Sequence, residues 1–146
     1  DVELLKQLRE ETQASIADCR IALEEAQGDY KKAIEFLKKR GAEIAEKKKE
    51  RETSQGLVDS YVHAGKIGVV LTLLCETDFV ARTAEFKNLS HEIAMHIAAM
   101  NPKDVDVLLK QEYVRDSKMT IQDLIKQNIG KLGENIVVRE FNRVEL

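Results

Sequence analysis

Through the first forty positions, apolar residues recur at steps of three and four, and the pattern breaks twice, which predicts three short helices. The stretch VELLKQLREE puts Leu4, Leu5 and Leu8 on one side. A second helix is predicted from Ser15, with Asp18 three residues on in a capping-box-like arrangement. Ile16, Cys19, Leu23 and Ala26 form its stripe, and Gly28 stops it. Asp29 is placed to cap a third helix whose stripe is Tyr30, Ala33, Ile34 and Leu37. Lys38, Lys39 and Arg40 suit its negative end, and Gly41 its terminus. Three helices of this size can bury one small shared core, so residues 1–41 are expected to form a unit.

The next stretch, AEIAEKKKERETSQG, has almost no large apolar side chain after Ile44 and reads as a charged helical linker over residues 42–55. Its run Lys47 to Lys49 fits either a solvated face or a surface for an acidic partner. After Gly56 the pattern changes to strands. LVDSYVH and KIGVVLTLLC flank His63-Ala64-Gly65-Lys66, whose glycine supplies hairpin geometry. The second strand is apolar at nearly every position from Ile67 to Leu74, which predicts a central strand covered on both faces. A long helix follows, with Phe86, Leu89, Ile93, Ile97 and Met100 on one side and Pro102 marking its end. KDVDVLLKQEYVRDSKM has no regular period. Thr120 with Asp123 then looks like a capping box for a helix that turns Ile121, Leu124, Ile125 and Ile129 inward and ends at Gly130 and Gly133. In the final strand, alternation favours burial of Ile136, Val138, Glu140, Asn142 and Val144. Residues 56–146 are therefore expected to form an α+β core, a small antiparallel sheet packed by helices.

Composition narrows the function classes. The 146 residues are 43% hydrophobic, enough for cores without covalent staples, and 23 basic against 26 acidic side chains leave a net charge of -3. That balance supplies no field for nucleic acid or anionic membrane. No apolar run approaches the roughly 20 residues of a membrane span, and DVELLKQLRE lacks the features of a secretory signal, so the expectation is a soluble, cytoplasmic protein. Cys19 and Cys75 stand far apart with no CxxC spacing and read as small buried residues. HEIAMH, from His91 to His96, falls one residue long of a zinc-protease motif. Histidines five apart on a helix are turned by about 140° rather than roughly 40°. There is no phosphate loop, GKLGENI lacks the required spacing, and no nucleophile, base and orienter stand together. A binding protein without cofactor or metal is expected, not an enzyme.

One stretch stands out. In CETDFVAR, Cys75 ends the apolar strand and Thr77 or Asp78 can cap a helix starting at Phe79. Phe79 then has two readings: a staple against its own helix, or a wedge whose burial in a partner's pocket yields roughly 1.5 to 3 kcal/mol. Periodicity does not choose between them.

CETDFVAR, KLGENIVVREF, MHIAAMNP, GLVDSYVHAGKIGVVL and the amino-terminal LREETQASIADCRIALEEAQGDYKKAIEFLKKRGAEIA together closely resemble elongation factor Ts, the nucleotide exchange factor of bacterial and organellar translation. The resemblance runs in order over nearly the whole chain. It implies that the first forty or so residues are the family's ubiquitin-associated-like module, which docks on the GTPase domain of elongation factor Tu. Asp18, Cys19 and Arg20 match its DCK segment, making Arg20 a candidate contact. Thr77, Asp78, Phe79 and Val80 match the family's TDFV segment, implicated in dislodging magnesium from the partner's nucleotide site. Leu132 and Gly133 match a second contact point, and His63 a third directed at another domain of the partner. The resemblance implies binding to both GDP-bound and nucleotide-free elongation factor Tu.

Three departures accompany the match. QASIAD stands where the family more usually has GAGMMD, so two glycines are lost before the second helix. Asn142 stands where some short relatives have a cysteine that can link two chains, so no covalent dimer is expected there. The family commonly carries a helical insertion between the positions matching Pro102 and Val114, and this chain has almost nothing in that interval. Only one copy of the core pattern is present, whereas long members carry two, so a homodimer is expected, with His63 of one copy and Phe79 of the other addressing one partner. The rival readings are a passive interaction module acting through the three-helix head, and a metal-dependent hydrolase built on His91 and His96.

Overall fold

The computed structural model describes residues 1–146. Its head is three helices, α1 (Val2–Thr12), α2 (Ile16–Glu25) and α3 (Tyr30–Lys48). They close over Leu8, Cys19, Ala22, Ala26, Ala33 and Leu37. Ser15 and Asp29 cap α2 and α3 as their side chains predict, accepting from the Asp18 and Lys32 N–H groups. Only half of the expected box at Ser15 forms, because the Asp18 carboxylate turns away to pair with Arg40 at 3.1 Å. The turn between α1 and α2 forms without a glycine. Gln13 itself adopts the left-handed conformation at φ 60°, closing α1 by donating its N–H to Arg9 O, and Ser15 serves as the next cap.

The expected stop at Gly41 does not occur. α3 runs on for two further turns to Lys48, so residues 42–48 of the expected linker are helix, and residues 49–54 alone make the connection. The physical reason lies in burial: Ala45 is buried in the larger core and Ile44 packs against it. That burial outweighs the roughly 1 kcal/mol penalty of a glycine inside a helix.

The core is an α+β unit. β1 (Gln55–His63) and β2 (Ile67–Cys75) form the hairpin, and β5 (Val137–Glu145) pairs antiparallel on the other side of β2, which is central as predicted. Between them run α4 (Asp78–Ala81), α5 (Ala84–Met100), α6 (Val105–Lys110), the small hairpin β3 (Glu112–Tyr113) and β4 (Asp116–Thr120), and α7 (Ile121–Leu132). Thr120 and Asp123 complete their reciprocal capping box. The stretch without periodicity is thus a short helix and a hairpin, elements too brief for a period to show.

Two strand expectations are corrected. β2 is covered on one face only: Val69, Leu71, Leu73 and Cys75 are buried, while Val70 is exposed. A single layer of helices packs on the sheet, and the opposite face remains open. In β5 the alternation switches midway. Val138 pairs Leu73 and points inward, but the register shifts between Thr72 and Leu73, so Phe141 rather than Asn142 or Val144 continues the inner face. A bulge inserts one residue and reverses the facing of everything beyond it. Arg143 is thereby brought under the end of α5, where its guanidinium donates to Ala98 O at 2.9 and 3.2 Å, a favourable place for a cation. Met100, predicted inward, is instead exposed at the last residue of α5.

Candidate functional site

The chain leaves β2 at Cys75 and enters α4 within three residues. Thr77 is the cap: its Oγ1 accepts from Val80 N at 3.2 Å, and the helix begins at Asp78 rather than Phe79. Asp78 lies in the first turn, exposed, and pairs with Arg82 at 3.0 Å across one helical turn. Val80 and Ala81 point into the core, and Cys75 is wholly buried. Phe79 points the other way. It is 78% exposed, the only phenylalanine among the exposed large hydrophobics. A staple would have been covered, so that reading of Phe79 is excluded.

The turn is braced from a distance. Glu134, two residues beyond α7, accepts at Oε1 from Glu76 N and Thr77 N at 3.1 and 3.0 Å, and at Oε2 from Thr77 Oγ1 at 2.7 Å. Glu76 returns the arrangement, its Oε2 accepting from Asn135 N at 2.6 Å. The buried Asn135 amide donates to the carbonyls of Lys49 and Arg51 at 3.3 and 3.0 Å, tying in the segment after α3. The Cys75 thiol donates to Thr77 O at 3.2 Å. Burial, with the Glu134 charge second, pushes that thiol up to about 11, so it stays a donor and not a nucleophile.

The other predicted contacts are dispersed. Arg20 is exposed on α2 with no ion-pair partner, and Cys19 beside it is buried, with burial raising its thiol. His63 is exposed at the end of β1, where the Tyr61 hydroxyl holds its Nδ1 at 2.9 Å. Leu132 ends α7 half-buried, and Gly133 caps it at φ 78°, a left-handed position that favours glycine. Gly133 and Phe79 are brought together through Glu134; Arg20 and His63 belong to the head and the hairpin turn.

Glu134, Asn135 and Glu76 were missed by sequence reasoning. A signal existed in GENI, where two polar residues stand between a helix-ending glycine and a strand. His91 and His96 do not converge: His91 is exposed beside Tyr61, while His96 is buried with both ring nitrogens engaged by Gln111 and Val114. A cleft of about 620 Å³ lies between the head and α7, with Ile34, Leu37 and Ile44 among its lining, and Phe79 takes no part in it.

These features define an α+β protein with a three-helix head, distinguished by an aromatic presented on a braced turn. The family model for elongation factor TS matches residues 76–146, the part that contains this turn, its brace and β5. Elongation factor Ts of Fervidobacterium nodosum is 42% identical over 99% of this chain and 96% of its own length. That of Coprothermobacter proteolyticus is 44% identical over 96% of this chain and 94% of its own, and the chloroplastic protein of Guillardia theta 39% over 97% and 86%. The chain belongs to the elongation factor Ts family, and is a translation elongation factor of that kind. The first of these alignments extends over 190 residues against 146 here, so that relative carries residues with no counterpart in this chain.

Proposed function

We propose that this protein is a guanine-nucleotide exchange factor that binds elongation factor Tu with GDP and without nucleotide, and speeds GDP release by disturbing the magnesium site. The observation that carries the reading is the exposure of Phe79 on a turn that offers it no cover of its own. Burying such a ring in a partner's pocket supplies roughly 1.5 to 3 kcal/mol. Magnesium demands near-ideal octahedral geometry, so a small displacement of its surroundings weakens nucleotide binding strongly. No bond is made or broken, so the protein is not an enzyme in the covalent sense. Linkage is reciprocal: a factor that loosens GDP is itself loosened by nucleotide, and GTP entry expels it.

Arg20, His63, Leu132 and Gly133 are the further contacts in this reading, with the ubiquitin-associated-like head docking on the GTPase domain. The working form is a homodimer joined through the open sheet face, where Val58, Val62, Val70 and Val144 are exposed. Its place is the cytoplasm of a bacterium or the matrix of an organelle; no helix is long and apolar enough to cross a membrane.

The test is release of fluorescent GDP from elongation factor Tu across magnesium concentrations. Phe79→Ala is expected to slow stimulated release about tenfold or more while circular dichroism shows the fold unchanged. Acceleration by the unaltered protein should diminish where magnesium is already scarce. Unchanged release with Phe79→Ala would sink the wedge, and binding by the isolated head alone would then favour a passive interaction module.

A further inference from the structure

Phe79 has little around it to fix its direction. With 78% of its surface exposed, the ring takes its aim from the backbone of a four-residue helix. A helix that short has no cooperativity of its own. Its orientation depends on the residue at its cap, and Thr77 is held at every polar atom. Its N–H and hydroxyl donate to the two oxygens of Glu134, its hydroxyl oxygen accepts from Val80 N, and its carbonyl accepts from Cys75 Sγ and Ala81 N. Of these partners, Glu134 alone lies outside the strand-to-helix segment itself.

The bonding is reciprocal. The Glu134 carboxylate takes backbone donors of residues 76 and 77, and the Glu76 carboxylate takes the backbone donor of residue 135. Two loops more than fifty residues apart in sequence therefore hold each other through charge-assisted bonds, roughly twice as strong as neutral ones. Neither can shift without breaking bonds of the other. Leu132 and Gly133 stand at the start of one loop and Phe79 just beyond the other.

We propose that Glu134 is a positioning residue for Phe79, a strut that makes the Thr77–Val80 and Leu132–Gly133 segments bear on elongation factor Tu as one rigid unit. This rests on the wedge reading above. Glu134 touches neither nucleotide nor magnesium in this account; it acts through Thr77 on the direction of the ring.

The test is a double-mutant cycle in the full chain, read as fluorescent GDP release at increasing factor concentration. Glu134→Ala is expected to lower the maximal stimulated rate about tenfold, since misplacement of a working group by about 1 Å costs one to two orders of magnitude. The concentration giving half-maximal stimulation should stay within about twofold, because the head and hairpin contacts are untouched. Glu134→Gln keeps an oxygen for the two N–H groups and should recover part of the rate; it also serves if Glu134→Ala fails to fold. In a Phe79→Ala background, Glu134→Ala should change the rate no further. An additive loss in that background, or a full rate in Glu134→Ala, overturns the strut while leaving the wedge standing. A full rate in Phe79→Ala alone removes the wedge, and the strut with it.

Discussion

His96 shows how one side chain couples the molecule to pH. Its Nδ1 accepts from Val114 N at 3.2 Å, so the ring proton sits on Nε2 and is donated to Gln111 Oε1 at 2.9 Å. Protonating Nδ1 would break the bond to Val114 and charge a fully buried ring. Burial accordingly holds the imidazole below its ordinary value, against the opposing pull of the Gln111 bond. The sign follows: above about pH 6.5 the folded and unfolded rings are both neutral, and as pH falls from there towards the lowered folded value the unfolded ring takes up a proton that the folded one refuses. Stability should decline across that window. Urea unfolding at about pH 7.5, 6.5 and 5.5, values above, at and below the ordinary histidine pKa of about 6.5, should show a shallower decline in His96→Gln. An identical slope in the two proteins would assign the pH dependence elsewhere. Phe79 is the contrasting case at this scale, exposed where its chemistry favours burial.

At the scale of elements, the joint between head and core is a helix crossing. α3 and α7 meet at two glycines, and a Cβ built on Gly130 would lie 3.3 Å from Gly41 Cα. A Cβ on Gly41 would meet only Lys126 O at 3.9 Å, an ordinary contact. The two positions should therefore answer oppositely to alanine. Gly41→Ala gains up to about 1 kcal/mol of helix propensity and should raise Tm by a few degrees. Gly130→Ala gains the same propensity but forces two packed helices apart, and should lower Tm. Thermal unfolding of the pair checks this, and matching shifts would show that the crossing is looser than described. The caps at Ser15, Asp29 and Thr120 were legible because a cap is a local bond between near neighbours in sequence. The continuation of α3 past Gly41 was not, because it depends on the core packed against Ile44 and Ala45.

At the scale of the molecule, the sheet is finished on one side only. Rows Ser60–Val70–Asn142 and Val62–Gly68–Val144 cross its outer face, where Val144 is 69% exposed. Exposed valines on a three-stranded sheet are costly to leave in water, and a second copy presenting the same face would cover them. Sedimentation should find a dimer at micromolar concentration, and Val70→Asp should yield a folded monomer. A monomeric unaltered protein with full exchange activity would sink the dimer. Asn142 lies in this face opposite Val70, so the expected dimer would carry no disulfide at that position.

The order of the long helices and the three sheet strands, three of the helix caps, the central place of β2 and the match to elongation factor Ts were all determined by the sequence, whereas α6 and the β3–β4 hairpin were not. These rest on local periodicity, capping bonds between near neighbours and residue identities in order. The tertiary structure alone decided that Phe79 projects, that the β5 bulge turns Phe141 and Arg143 inward, that β2 keeps one open face, and that Glu134 braces a turn it follows by more than fifty residues. Each depends on what packs against a residue from elsewhere in the chain. Local pattern does not name such neighbours: GENI marks polar residues between a helix end and a strand, but not the turn that Glu134 holds.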